Sequence, residues 1–267
     1  FFENKRSALG IYNFSGDMGK VIFPMSVSAI SATFSWITGT FVVGLVGVTA
    51  GVVIYFGLYH IGLGGVEKKQ KKINIDKIKG WAITDITGFS CLSAISMIDT
   101  SVRLGFLTYL PFLLIEKGAE LGAIGFALTL VFAGGAVGKL VCGVAAERFG
   151  IIKTMALTEI ATAVGIFVLI FSSLLPAMIL LPFLGLALNG TSSVLYGTVG
   201  DFVDERRQAR AFGLFYTLAI GAGAVSPFFY GLISDRWGLD FCFVMLAASL
   251  AFVIPLFFPL SERLARV

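Results

Sequence analysis

Charge is scarce along this chain. Asp, Glu, Lys and Arg make up 13% of its 267 residues, about half the ~25% of an average soluble domain. Histidine occurs once, at His60. Cysteine occurs three times, and Cys91, Cys142 and Cys242 each lie inside an apolar run. Their spacing fits neither a metal site nor a disulfide framework, so they read as small buried hydrophobes. Gly62-Leu63-Gly64-Gly65 lacks the strand and helix that flank a nucleotide site. No phosphate-binding loop for ATP occurs elsewhere. No metal, cofactor or catalytic constellation is expected, and no enzymatic activity.

Apolar sequence is abundant instead. The chain is 57% hydrophobic with a mean hydropathy of +0.92, which excludes an ordinary soluble domain. Eight apolar runs cover 8–31, 37–59, 86–115, 121–146, 154–175, 177–199, 211–233 and 241–260. Each has roughly the ~20 residues needed to cross a ~30 Å hydrocarbon core as a helix. The expected class is an all-α integral membrane protein with about eight transmembrane helices in a lipid bilayer.

The basic residues fall in every second gap. Lys5 and Arg6 precede the first run. Lys68, Lys69, Lys71, Lys72, Lys77 and Lys79 follow the second, Arg148 and Lys153 the fourth, Arg206, Arg207 and Arg210 the sixth, and Arg263 and Arg266 the last. The other gaps hold only Lys117 and Arg236. Cytoplasmic loops collect Lys and Arg, so both ends of the chain are expected in the cytoplasm. The net charge of +4 therefore reports topology, not a nucleic-acid partner.

One linker, 61–85, is longer and more charged than the rest. It divides the chain into 1–60, holding two helices, and 86–267, holding six. A repeat runs across that division. Ala8-Leu9-Gly10-Ile11-Tyr12 and Pro24 lie over Ala211-Phe212-Gly213-Leu214-Phe215 and Pro227, at an offset of 203. The first two helices thus correspond to the last two, as in transporters built from duplicated halves. The helices of 86–199 have no such counterpart upstream. The repeat implies that about four more helices, roughly 120 residues, precede Phe1 in a longer protein.

Gly143-Val144-Ala145-Ala146-Glu147-Arg148-Phe149-Gly150, with Lys153 following, makes a charged turn at a cytoplasmic helix end. It resembles the G-x-x-x-D-R-x-G-R-R motif of the major facilitator superfamily, with Glu147 for Asp and Ile151-Ile152 for the basic pair. Gly10, Gly19 and Pro24 fit half of that family's helix-five antiporter motif, and Phe23, Val27 and Ser28 depart from it. Arg103 to Pro111 and Gly134 to Lys139 resemble bacterial drug-resistance permeases. The resemblance implies helices five to twelve, the C-terminal two-thirds of a twelve-helix fold, in the inner cell membrane. It implies secondary-active transport of a small-molecule substrate, with protons or another ion as the coupling partner and with efflux by exchange favoured. Gly143, Glu147, Arg148 and Gly150 would then be a cytoplasmic latch. Uptake of an organic anion by symport, or a receptor or assembly role without transport, are the alternatives.

Charges inside the runs are the candidate site, because each costs ~2.5–3.5 kcal/mol at a helix centre unless it is paired or wet. Asp99 and Arg103 lie four apart on one helix face, at ion-pair spacing. They either bind an anionic group or lock their helix. Asp17 and Lys20 form a second pair. Asp17 lies about 16 Å in from Arg6 at ~1.5 Å per residue, and the repeat partners Ile220 and Gly223 are uncharged. This pair is expected in substrate contact or proton coupling. Asn189, Ser192, Ser193 and Tyr196 share a face of one helix, lining the route or bonding to a neighbouring helix. Glu159 is expected to partner the latch, and Lys139 to reach the cytoplasmic interface. Gly134-x-x-x-Gly138 permits a close helix contact, as do Gly16, Gly19, Gly221 and Gly223.

The orientation is directly testable. A single cysteine at Lys71, in an otherwise cysteine-free chain, is expected to react with impermeant maleimide only from the cytoplasmic side, and one at Gly118 only from the opposite side. The reverse pattern would overturn the topology.

Overall fold

The computed structural model describes residues 5–60, 83–204 and 208–265, with backbone only for 5–15, 17 and 18. The helices are α1 (Lys5–Thr33), α2 (Trp36–His60), α3 (Ile86–Glu116), α4 (Leu121–Phe149), α5 (Ile151–Phe171), α6 (Leu174–Thr198), α7 (Gln208–Trp237), α8 (Leu239–Ser249) and α9 (Ile254–Leu264). A 3-10 turn at Leu250–Val253 joins α8 and α9 into one span, and another at Val199–Phe202 prolongs α6. Among the described residues there is no strand, only an isolated bridge between Ile83 and Val203. Seven spans among the described residues are long and apolar enough to cross a membrane. α1 has the length, 29 residues, but is the least apolar of the long helices.

All eight apolar runs become helical, seven of them long and apolar enough to cross a membrane, and the boundaries shift where backbone chemistry dictates. α4 and α5 are separated by Gly150 alone, and α7 and α8 by Gly238 alone. Their φ angles of +95° and +90° are open to glycine and strained for other residues. The break before α6 falls at Ser172-Ser173, not at Pro176. Pro176 sits in the first turn of α6, where its missing N–H forfeits no intrahelical bond. Lys117, a cation on the lysine-poor side, donates to Ile170 O at 2.8 Å and Ser172 O at 2.7 Å. It caps the end of α5, which accounts for a charge in that gap.

α4 and α6 pack more closely than any other pair. A Cβ on Gly134 would strike the backbone of Pro182, one on Gly138 the backbone of Leu186, and one on Gly185 the backbone of Val131. The small residues let the two backbones approach to near contact. α7 packs along α3 by the same means, with Gly223 against Thr100 and Leu104 and Gly231 against the Tyr109 hydroxyl. Among the described residues nothing lies against Gly16 or Gly221, and Gly19 makes only ordinary contact with Phe23. The expected role as contact glycines therefore holds for Gly134, Gly138 and Gly223.

α1 lies on α4, with Pro24 O and Ser28 against Gly125 and the Thr129 hydroxyl donating to Val21 O at 2.9 Å. α2 rests on α1 and is otherwise exposed. Starts recur at the repeat offset: α2 begins at Trp36 and α8 at Leu239.

Gly138→Ala is expected to lower stability by about 1–3 kcal/mol through overpacking. Gly47→Ala, with open space around it, is expected to leave stability unchanged or raise it by up to ~1 kcal/mol through helix propensity. Thermal midpoints of the purified variants in one detergent check the contrast.

Candidate functional site

The bundle core is split in two. One apolar cluster holds Val102, Phe106 and Leu110 of α3 with Ile166 of α5, Leu188 of α6, and Phe243 and Leu246 of α8. The other holds Phe89, Leu92 and Ile95 of α3 with Met155 of α5, Leu195 of α6, Phe215 of α7 and Leu260 of α9. Between them α3, α5, α6 and α7 pass through a polar level. α3 contributes Ser96, Asp99 and Thr100, α5 contributes Thr158, Glu159 and Thr162, and α6 contributes Asn189, Thr191 and Ser192, all buried. α7 contributes Ser226.

Local bonds satisfy most of this layer. The Thr191 hydroxyl donates to Thr158 Oγ1 at 2.8 Å, tying α6 to α5. Thr158 itself bonds back to its own helix. Pro227 cannot donate to Gly223 O, four residues back. The Ser226 hydroxyl stands 2.9 Å from that carbonyl and 2.9 Å from Ser101 O on α3. Tyr109 donates to Pro227 O at 2.7 Å.

The charges are less completely satisfied. Asp99 is 3% exposed and its Oδ2 has no hydrogen-bond partner. The expected Asp99–Arg103 contact does not form. Arg103, half-buried, donates instead to Thr100 Oγ1 at 3.2 Å. Thr100 stands three residues before Arg103, as near on the helix surface as Asp99, and takes the bond. Asp99 and Arg103 still lie within electrostatic reach of each other.

Glu159 is a correction to the sequence reading. It does not reach the latch. It is 4% exposed, its Oε1 has no partner, and it interacts electrostatically with both Asp99 and Arg103. The buried face of α5 turns it inward with Met155, Thr158 and Thr162. The signal was present in sequence as threonines every four residues, at Thr154, Thr158 and Thr162, with Glu159 beside them.

The α6 stripe divides between neighbours. Asn189 packs on Gly135 of α4 and bonds to Gly185 O of its own helix at 3.2 Å. The Ser193 hydroxyl lies 3.1 Å from Lys139 O of α4. Tyr196 is half-buried and stacks on Tyr216 of α7, with ring centroids 4.6 Å apart. Thr191 points away from this stripe toward α5, as the spacing indicates. Lys139 is half-buried.

The second charged pair is not brought to this layer by any described contact. Lys20 is exposed on α1, and the side chain of Asp17 lies outside the described residues. At the turn after α4, Gly150 accepts from the Thr154 N–H at 3.1 Å and the Thr154 hydroxyl at 2.9 Å. Glu147 and Arg148 are exposed, and Gly143 faces open space. At the start of the bundle, Asp85 caps α3 through Thr87 N and Gly88 N and meets Arg263 at 3.4 Å. Sequence reading missed this tie between the linker end and α9, since spacing gives no sign of contacts this far apart.

The family model for the Major Facilitator Superfamily matches residues 89–267, which is α3 from its first turn to the C-terminal end. No curated protein matches the chain.

Thr191→Val is expected to cost about 1 kcal/mol, within the range for hydrogen bonds between helices in membranes. Unfolding of the purified protein in mixed micelles measures it. An unchanged midpoint would remove the Thr191–Thr158 bond as a tie between α5 and α6.

Proposed function

Because this chain belongs to the Major Facilitator Superfamily, a family of multi-pass membrane transporters, we propose that it moves a small organic solute by secondary-active alternating access, with proton-coupled efflux as the mode. The division is 1–60 as two helices of one bundle, 61–85 as a cytoplasmic linker and 86–267 as a six-helix bundle. Four further helices of the same protein would complete the first bundle, a reading supported by the 203-residue repeat. Both ends lie in the cytoplasm of a cell whose inner membrane holds the protein, by the distribution of Lys and Arg.

The observation that carries the transport role is the polar layer, with two buried carboxylates and a half-buried guanidinium in a membrane-spanning bundle. Ionisable groups at this depth mark ion and solute routes. In this reading Arg103 and Tyr196, both half-buried, meet the solute, and Asp99 balances Arg103. Asn189 holds α6 on α4 behind them. Asp17 and Lys20 line the α1 side. The exposed Glu147-Arg148 turn, with Gly143 and Gly150, is a latch that engages in only one of the alternating states. Alternating access needs one bundle to rock against the other, and a charged turn at a helix end supplies a contact that can be made and broken.

A second reading, uptake of an organic anion by symport, is favoured by one feature. Arg103 bonds to a neutral hydroxyl and to no carboxylate, which leaves a cation available to an anionic group.

The intact protein in liposomes with an internal pH dye tests the proposal against a panel of organic cations and anions. Solute-driven proton movement out of step with passive leak is expected. Asp99→Asn and Asp17→Asn are each expected to slow it roughly tenfold or more, a change of ~1.4 kcal/mol in barrier. Unchanged rates in both variants would end the assignment of these residues. A response to anions moving with protons, and none to cations, would select symport.

A further inference from the structure

A cavity lies behind the polar level, in the crevice that α7 and α8 form over α3. Ser101 lines it and Arg103 does not. The two residues stand two apart, so at ~3.6 residues per turn they point to nearly opposite sides of α3.

Three contacts fix the walls. The Ser226 hydroxyl of α7 stands 2.9 Å from Ser101 O of α3. The Tyr230 hydroxyl, one turn farther along α7, donates to Ser249 Oγ of α8 at 2.9 Å. A Cβ on Gly105 of α3 would strike both the Tyr230 ring and Leu246 of α8. Between these contacts the small side chains of Ser101 and Ala222 leave about 320 Å3, at the lower end of ligand pockets (~300–1,000 Å3).

The mouth faces lipid. Phe252, on the 3-10 turn after Ser249, is 70% exposed at the rim. Val225 and Phe229, which share a helix face with Ala222, are exposed as well. The 203-residue repeat keeps this mouth clear in a longer protein. Val21, Pro24 and Ser28, the α1 residues that meet α4, match Ala224, Pro227 and Gly231. Those three lie on a different face of α7 from Ala222, Val225 and Phe229.

The lining selects the ligand. Among the described residues that line the cavity none is charged, so an ion there would be unpaired in hydrocarbon. The Tyr230 proton is spent on Ser249, whose hydroxyl donates in turn to Met245 O at 2.7 Å. Two groups remain. The Ser101 hydroxyl makes no hydrogen bond among the described residues, and the Tyr230 oxygen keeps a lone pair. An alcohol both donates and accepts, so one hydroxyl serves both groups. A carbonyl only accepts, and an alkane does neither.

We propose that this cavity binds a neutral aliphatic alcohol of medium chain length, drawn from the bilayer. Its hydroxyl meets Ser101 and Tyr230, and its chain lies against Met97, Ile98 and Phe252. The site depends neither on the charges of the polar level nor on the transport reading. It is a separate ligand site, reached from the lipid and divided from Arg103 by α3.

Photolabelling of the full chain in liposomes tests the site, with an octanol that carries a diazirine on its chain as the probe. Label is expected within 97–101, 222–230 and 249–252, read by mass spectrometry of the digest. Excess octan-1-ol is expected to remove it, and octane at equal membrane concentration to leave most of it. Ser101→Ala is expected to raise the octan-1-ol concentration for half-suppression roughly three- to tenfold, the worth of one neutral hydrogen bond. Ala222→Leu, which fills the cavity, is expected to abolish the label. Suppression by octane equal to that by octan-1-ol, label spread evenly over the exposed helices, or an unchanged midpoint in Ser101→Ala would overturn the proposal. The octanol and octane comparison on the wild type decides the matter even where a variant fails to fold.

Discussion

Hydrocarbon tolerates no unsatisfied charge or backbone group, and this constraint shapes the bundle at every level. Where Pro227 leaves Gly223 O without its helical donor, the Ser226 hydroxyl stands beside it. Where α5 ends, Lys117 takes its carbonyls. The polar groups that remain are gathered at one level between two apolar clusters. Scattered charges would each meet lipid or apolar core separately. Collected charges answer one another, so Asp99, Arg103 and Glu159 have to be read as one unit.

Close backbone approach is what lets that level form. α4 and α6 meet through Gly134, Gly138 and Gly185, near enough that Ser193 of α6 reaches the Lys139 carbonyl of α4. This contact fixes the rotation of α6. It turns Asn189 onto α4, Thr191 onto α5 and Tyr196 onto α7. α1 then joins the same α4 through Gly125 and Thr129. α4 is thus the helix through which the first two helices touch the bundle, on a second face away from the α6 seam. A Ser28 that departs from the antiporter pattern fills its place against Gly125 without loss of contact.

Asp99 is enclosed by helices on a bundle whose Arg103 and Tyr196 remain half-open. The enclosed Asp99 and the half-open Arg103 are therefore separated by about one helical turn along α3. That geometry gives a physical basis for coupling: whatever neutralises Arg103 from the open side changes the charge that Asp99 and Glu159 meet from the closed side.

The sequence by itself determined the membrane class, the eight helical runs, the alternation of basic gaps and the family motif at Gly143 to Gly150. These are legible because hydrophobic length and loop charge act locally, one segment at a time. It also marked Asp99 and Arg103 as a charged face of one helix. Only the tertiary structure decided their partners. Arg103 took a hydroxyl on its own helix, and Glu159 moved from the latch to the interior, because the rotation of α5 is set by what packs on it and not by its depth. Helix rotation in lipid has no hydrophobic gradient to dictate it, since both surroundings are apolar. It is fixed by backbone contact at glycines and by buried bonds between distant residues, such as Thr191 to Thr158 and Tyr109 to Pro227, and such contacts leave no period in a sequence.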